Sequence, residues 1–143
     1  MKKQILSIIF TLTFSISFSQ LISYEAIWVN EGMEEDYISV EEIWSEVKKQ
    51  AIADDIQDFW VVFKVQKDLT NADDLKKPDY IVMNGFKDEE QRTKQTNWKE
   101  LAQKVYKGKM SKRKFEKVWE MTPTVRKETR NFLVERLDNT VWN

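Results

Sequence analysis

The chain has 143 residues, with 23 basic and 24 acidic side chains, no Cys and no His, for a formal net charge of −1. That length suits one domain with one core, and so balanced a charge exerts no overall pull towards nucleic acid or membranes. The missing residue types exclude disulfides, zinc sites of the Cys/His kind, haem on a His or Cys ligand, and Ser–His or Cys–His nucleophile pairs. The three glycines, Gly32, Gly85 and Gly108, stand too far apart for a phosphate-cradling loop.

The N-terminus reads as a secretory signal. Lys2 and Lys3 precede an uncharged, mostly apolar run from Ile5 to Phe18, and Ser17-Phe18-Ser19 presents small residues ahead of Gln20. The run is shorter than the roughly 20 apolar residues of a spanning helix, and no Cys follows to carry a lipid. The expected product is a single domain of residues 20–143, secreted or periplasmic, with residues 1–19 removed and no membrane span left.

A strand is expected at 22–30, where "ISYEAIWVN" alternates and is rich in β-branched and aromatic residues. Gly32 and a cluster of acids then open a helix over 34–53, on which Tyr37, Val40, Trp44, Val47 and Ala51 form one apolar stripe. "DFWVVFKVQ" predicts a second strand at 58–66, apolar on both faces and so covered on both. "DYIVMNGF" predicts a third at 79–86. The loop between them, starting at Asp68, has the length of an EF-hand but fails it at Ala72, Asp73 and Asp79, and reads as solvated.

Asn97 followed by Glu100 is a capping-box pattern. Trp98, Leu101, Ala102, Val105 and Tyr106 continue at helical spacing to Gly108, a C′ glycine. Ser111 caps a second short helix through Phe115, Val118 and Trp119, stopped at Thr122-Pro123. The tail "TRNFLVERLD" reads as a last strand at 129–137, with a helix as the rival reading. The adjacent pairs Glu34/Glu35 and Glu41/Glu42 read as exposed surface, because neighbours on a helix do not face each other.

The order of elements is that of a ferredoxin-like β-α-β-β-α-β unit, an α+β fold with one antiparallel sheet and helices on one face. The run "EGMEEDYISVEEIWSEVKKQAIADDIQDFWVVFKV" resembles the first half of dimeric α/β-barrel proteins, closest to uncharacterised secreted bacterial members with "YxxxExxW" on the first helix. The resemblance continues through "PDYIVMNGF". It implies a homodimer in which two sheets face each other around a lumen. Trp60 and Val62 are the positions where a Glu is expected to break that pairing. Relatives with haem chemistry generally rely on a His, often in the region where this chain has Lys48, so no cofactor and no metal is expected.

Strand alternation suggests Tyr24, Trp28, Trp60, Lys64, Tyr80 and Asn84 as a common lining of the lumen. The expected function is a non-catalytic homodimeric module binding a small apolar or aromatic ligand there. The alternative is a cofactor-independent oxygenase or isomerase acting on a small aromatic substrate. Charge is segregated, with eleven acids against two bases over 25–58 and eleven bases against five acids over 87–117. Pairing between the two segments, within or between subunits, is the expected use, with an anionic polymer at the envelope surface second and no nucleic acid expected.

Overall fold

A computed structural model describes residues 21–135. The expected signal at 1–19, and the last two residues of the expected final strand, lie outside them. The elements are β1 (Leu21–Val29), α1 (Glu34–Ala53), β2 (Phe59–Lys64), a 3₁₀ turn (Asp74–Lys76), β3 (Tyr80–Phe86), α2 (Glu89–Thr93), α3 (Trp98–Tyr106), α4 (Lys112–Met121) and β4 (Arg126–Glu135). One antiparallel sheet runs in the order β2-β3-β1-β4. This is the ferredoxin-like arrangement, with α1, α3 and α4 on one face.

The stripe on α1 is the reason it packs where it does. Tyr37, Val40, Val47 and Ala51 are all but fully buried, and Trp44 is half-buried. Tyr37 and Val40 meet Ile27, Tyr80 and Val82 of the sheet, together with Val125. Val47 and Ile43 meet Ala102 of α3 and Phe115 of α4. α1 therefore holds two apolar clusters, one against the sheet and one against the α3–α4 hairpin. Asn97 and Ser111 cap α3 and α4 by accepting from the backbone N–H groups of Glu100 and Lys114. Between them Gly108 takes φ +80°, the left-handed conformation a C′ residue needs. The short α2 has no counterpart in the sequence pattern. Asp88 caps it, and its buried Gln91 accepts from Lys87 N–H and donates to the Asp55 carbonyl.

The strand register decides which residues share a face. Tyr24 pairs with Met83, and Ile27 with Tyr80, while Trp60 pairs with Asn84 and Val62 with Val82. The helix-covered face thus carries Glu25 and Ile27, Trp60, Val62 and Lys64, and Tyr80, Val82 and Asn84. The other face carries Tyr24, Ala26 and Trp28, Val61 and Phe63, Ile81 and Met83, and Phe132 and Val134. That face is apolar and uncovered in the single chain, with Phe63, Phe132 and Val134 about half exposed. Trp60 and Val62, expected on the open face, pack under the helices against the core instead.

Candidate functional site

The same register divides the six residues expected to line one cavity. Tyr24 stacks edge-on against Phe132 on the open face. Trp28 lies there too, its ring under the Arg130 guanidinium and its Nε1 donating to the Lys76 carbonyl. Trp60, Lys64, Tyr80 and Asn84 lie on the helix-covered face. Of these, Lys64 is exposed at the rim, where it pairs with Glu34 at 2.7 Å. Tyr80 Oη donates to the same Glu34 oxygen at 2.8 Å. Lys64 holds the Glu34 carboxyl below its usual range, while burial and then the Glu34 bond push the Tyr80 phenol up. Tyr80 lines one hollow with Lys64 and a groove with Trp60, and Trp60 and Asn84 meet in a further recess.

That recess, about 230 Å³, lies between α1, the sheet and the start of α3. Trp44, Trp60 and Trp98 form its apolar walls, and its polar groups are linked end to end. Lys48 Nζ donates to Gln57 Oε1 at 2.9 Å and to Asn84 Oδ1 at 3.0 Å, and its charge sits 3.9 Å from the centre of the Trp98 ring. Asn84 Nδ2 donates to Glu25 Oε1 at 3.3 Å. Arg126 then joins two carboxylates, reaching Glu25 at 3.4 Å and Glu41 at 2.9 Å. Two cations and two acids alternate through two amides, which is how buried charge is tolerated.

Backbone irregularity supplies the arginine. Val29 pairs with Arg126 but Trp28 pairs with Glu128, leaving Lys127 as the extra residue of a bulge. Because side chains alternate across a strand, that extra residue sets Arg126 on the inner face, where regular pairing would have set Lys127.

Burial shifts the titrations in this cluster. It pushes the Lys48 ammonium down to about 8 against the opposing charges of Glu25 and Glu41. It pushes the Glu41 carboxyl up, against the pull of Arg126. It also raises the Tyr37 phenol, with the Glu41 charge adding to the effect. Tyr37 Oη and Arg126 Nε are buried and have no hydrogen-bond partner among the described residues. A second groove of about 480 Å³, between α1 and the edge strand β2, shares Glu41, Lys48 and Trp60 with the recess. Together they form a cleft from the sheet edge to the polar cluster.

The sequence reading missed Glu25, Glu41, Gln57 and Arg126. It placed Glu41 with Glu42 on the surface, but only Glu42 is exposed, and Glu41 is 9% exposed. A signal existed in Tyr37, whose step of four to Glu41 puts both on one side of α1. The expected pairing between the acidic and basic segments is represented by Lys87, which pairs with Asp55 and lies 4.0 Å from Asp58.

Three solved structures place this architecture. A dimeric ferredoxin-like protein from an uncultured marine organism is 12% identical, with a TM-score of 0.55, covering 89% of this chain and 96% of its own. The fold is ferredoxin-like. A dimeric protein of ferredoxin-like fold from Bacteroides fragilis is 8% identical, with a TM-score of 0.50 over 83% of this chain and 100% of its own. A NIPSNAP family protein from Agrobacterium tumefaciens is 12% identical, with a TM-score of 0.51 over 86% of this chain and 91% of its own. No protein-family model and no curated protein matches the chain.

Proposed function

We propose that the protein is an exported homodimer that binds a small, mainly apolar or aromatic molecule bearing one hydrogen-bonding group. The binding site in this reading is the cleft under α1, displaced from the lumen expected from sequence. The observation that carries it is a recess with three Trp walls and a linked Lys48–Asn84–Glu25–Arg126–Glu41 floor. Ligand sites combine an apolar lining with a few convergent polar groups in this way. Native mass spectrometry of the purified protein would show a copurifying small molecule. Titration with 1-naphthol, a planar probe with one hydroxyl, would quench the cleft tryptophans and weaken at least about tenfold in Trp98→Leu if one aromatic wall contributes over 1.4 kcal/mol. An unchanged titration in that variant would move the site out of the cleft.

Dimerisation is supported by the open face, on which Phe63, Phe132 and Val134 are about half exposed, since contiguous exposed apolar surface marks interaction sites, and two of the structural neighbours are described as dimeric. A second copy applied sheet to sheet on a two-fold axis would cover it. Light scattering should give twice the chain mass, and Phe63→Glu should give the monomer mass. A Phe63→Glu protein that stays dimeric would put the interface elsewhere. Export is supported by the N-terminal charge and hydropathy pattern, and intact-mass analysis of the secreted or periplasmic fraction for a chain starting at Gln20 tests it.

A second reading, a cofactor-independent oxygenase or isomerase, is favoured by the shifted Lys48 and Glu41. Groups displaced towards neutrality inside a cleft are suited to moving protons. Conversion of a bound aromatic ligand, lost in Lys48→Met with binding retained, would establish it over simple binding.

A further inference from the structure

The cations of this protein fall into two populations. Over the strands, loops and α1 they are mostly engaged: Lys49, Lys64, Lys67, Lys76, Lys77 and Lys87 all sit in ion pairs, and Lys48 is hydrogen-bonded. The α3–α4 hairpin is the opposite. Seven Lys and Arg side chains between 104 and 117 are exposed, and none of them forms an ion pair among the described residues. The acid in that stretch, Glu116, is already taken by Lys99 at 2.9 Å and by Gln103 at 3.3 Å.

An apolar recess of about 380 Å³ opens among these charges. Tyr106, Met110 and Phe115 line it, with Lys107 and Lys112 at its rim. We infer that the α3–α4 hairpin is a docking surface for an anionic phospholipid bilayer. The unpaired cations face the headgroup phosphates, and the recess takes apolar lipid at the interface. Charge complementarity sets the sign of the partner, and the recess distinguishes a lipid surface from a purely charged polymer. Single-stranded nucleic acid needs exposed aromatic faces on which bases stack, whereas Phe115 is buried at 4% exposure. An anionic leaflet strengthens adsorption roughly fivefold for each Lys or Arg brought to it, and the effect dies within a Debye length.

The test is co-sedimentation of the full chain with vesicles of phosphatidylglycerol and phosphatidylcholine, against phosphatidylcholine alone. The proposal expects binding to the anionic vesicles only, released as salt is raised. A combined Lys107→Gln, Lys109→Gln, Lys112→Gln, Arg113→Gln variant, with unchanged circular dichroism, should bind more than about a hundredfold more weakly. A Lys64→Gln, Lys76→Gln, Lys77→Gln variant, altering cations elsewhere, should bind as the wild type does. All these chains share one N-terminus, so the difference between them reads the hairpin. Equal binding to neutral vesicles, equal binding by the hairpin variant, or no binding to anionic vesicles would overturn the proposal. So would displacement from the vesicles by single-stranded DNA at lower charge concentration than the lipid itself.

Discussion

The cleft beneath α1 and the outer surface of the α3–α4 hairpin carry the same kinds of charge and use them in opposite ways. In the cleft, Lys48 and Arg126 are each held by two partners, and the acids Glu25 and Glu41 are set between them. On the hairpin the seven cations between 104 and 117 stand in water with no ion pair among the described residues, while Lys99 occupies Glu116. Both regions pack on α1, so the difference arises from which side of each element faces inwards. A charge inside becomes part of the architecture, because removing one leaves its partner stranded. A charge outside leaves the fold almost untouched and is free to act on something else.

Substitutions should separate the two regions by size of effect. Arg126→Met strips both carboxylates of their counter-charge, and a loss of about 4 kcal/mol in urea unfolding is expected. A loss under about 1 kcal/mol would mean that the cluster is wetter than its geometry implies. Lys48→Met exposes the cleft to a pH test. The Lys48 pKa lies below its unfolded value, so its burial penalty is fully present below pH 8 and fades as pH rises from about 8 towards 10.5. Over that window the wild type should gain up to about 3 kcal/mol relative to Lys48→Met. Parallel stability–pH curves for the two proteins would remove Lys48 from the buried set.

Within the hairpin the effects shrink. Asn97→Ala removes the cap of α3 and should cost about 1 kcal/mol. Lys112→Glu should raise stability by about 0.5 kcal/mol, since the first turn of α4 holds three bases and no acid at the positive end of the helix dipole. If thermal unfolding instead shows Lys112→Glu losing more than that, Lys112 has a structural partner and the contrast between the regions fails there.

The elements were legible in the sequence wherever periodicity was strong. The stripe from Tyr37 to Ala51 marked α1 over its observed span, and Asn97, Gly108 and Ser111 marked the ends of α3 and α4 through local chemistry. The helix α2 was hidden because five residues hold no period, and it depends on contacts of Gln91 with residues distant in the chain. The candidate site was only half visible for a sharper reason. Alternation states that Tyr24 and Trp28 share a face, and that Tyr80 and Asn84 share one, but only register states whether the faces coincide. Tyr24 opposite Met83 separates them, and a shift of one residue would have joined them. Arg126 was beyond reach for the same reason, since a bulge at Lys127 sets its side.

The position of β1 has a consequence for when the fold can form. It is the first described strand of the chain, yet it lies inside the sheet, paired with β3 on one edge and with β4 on the other. Its partner Arg130 lies opposite Ala26, so one border of β1 waits for the last strand. Pairings so distant along the chain close late. During synthesis the N-terminal strand therefore emerges with neither neighbour in place, and its sheet cannot be completed before the final strand is made.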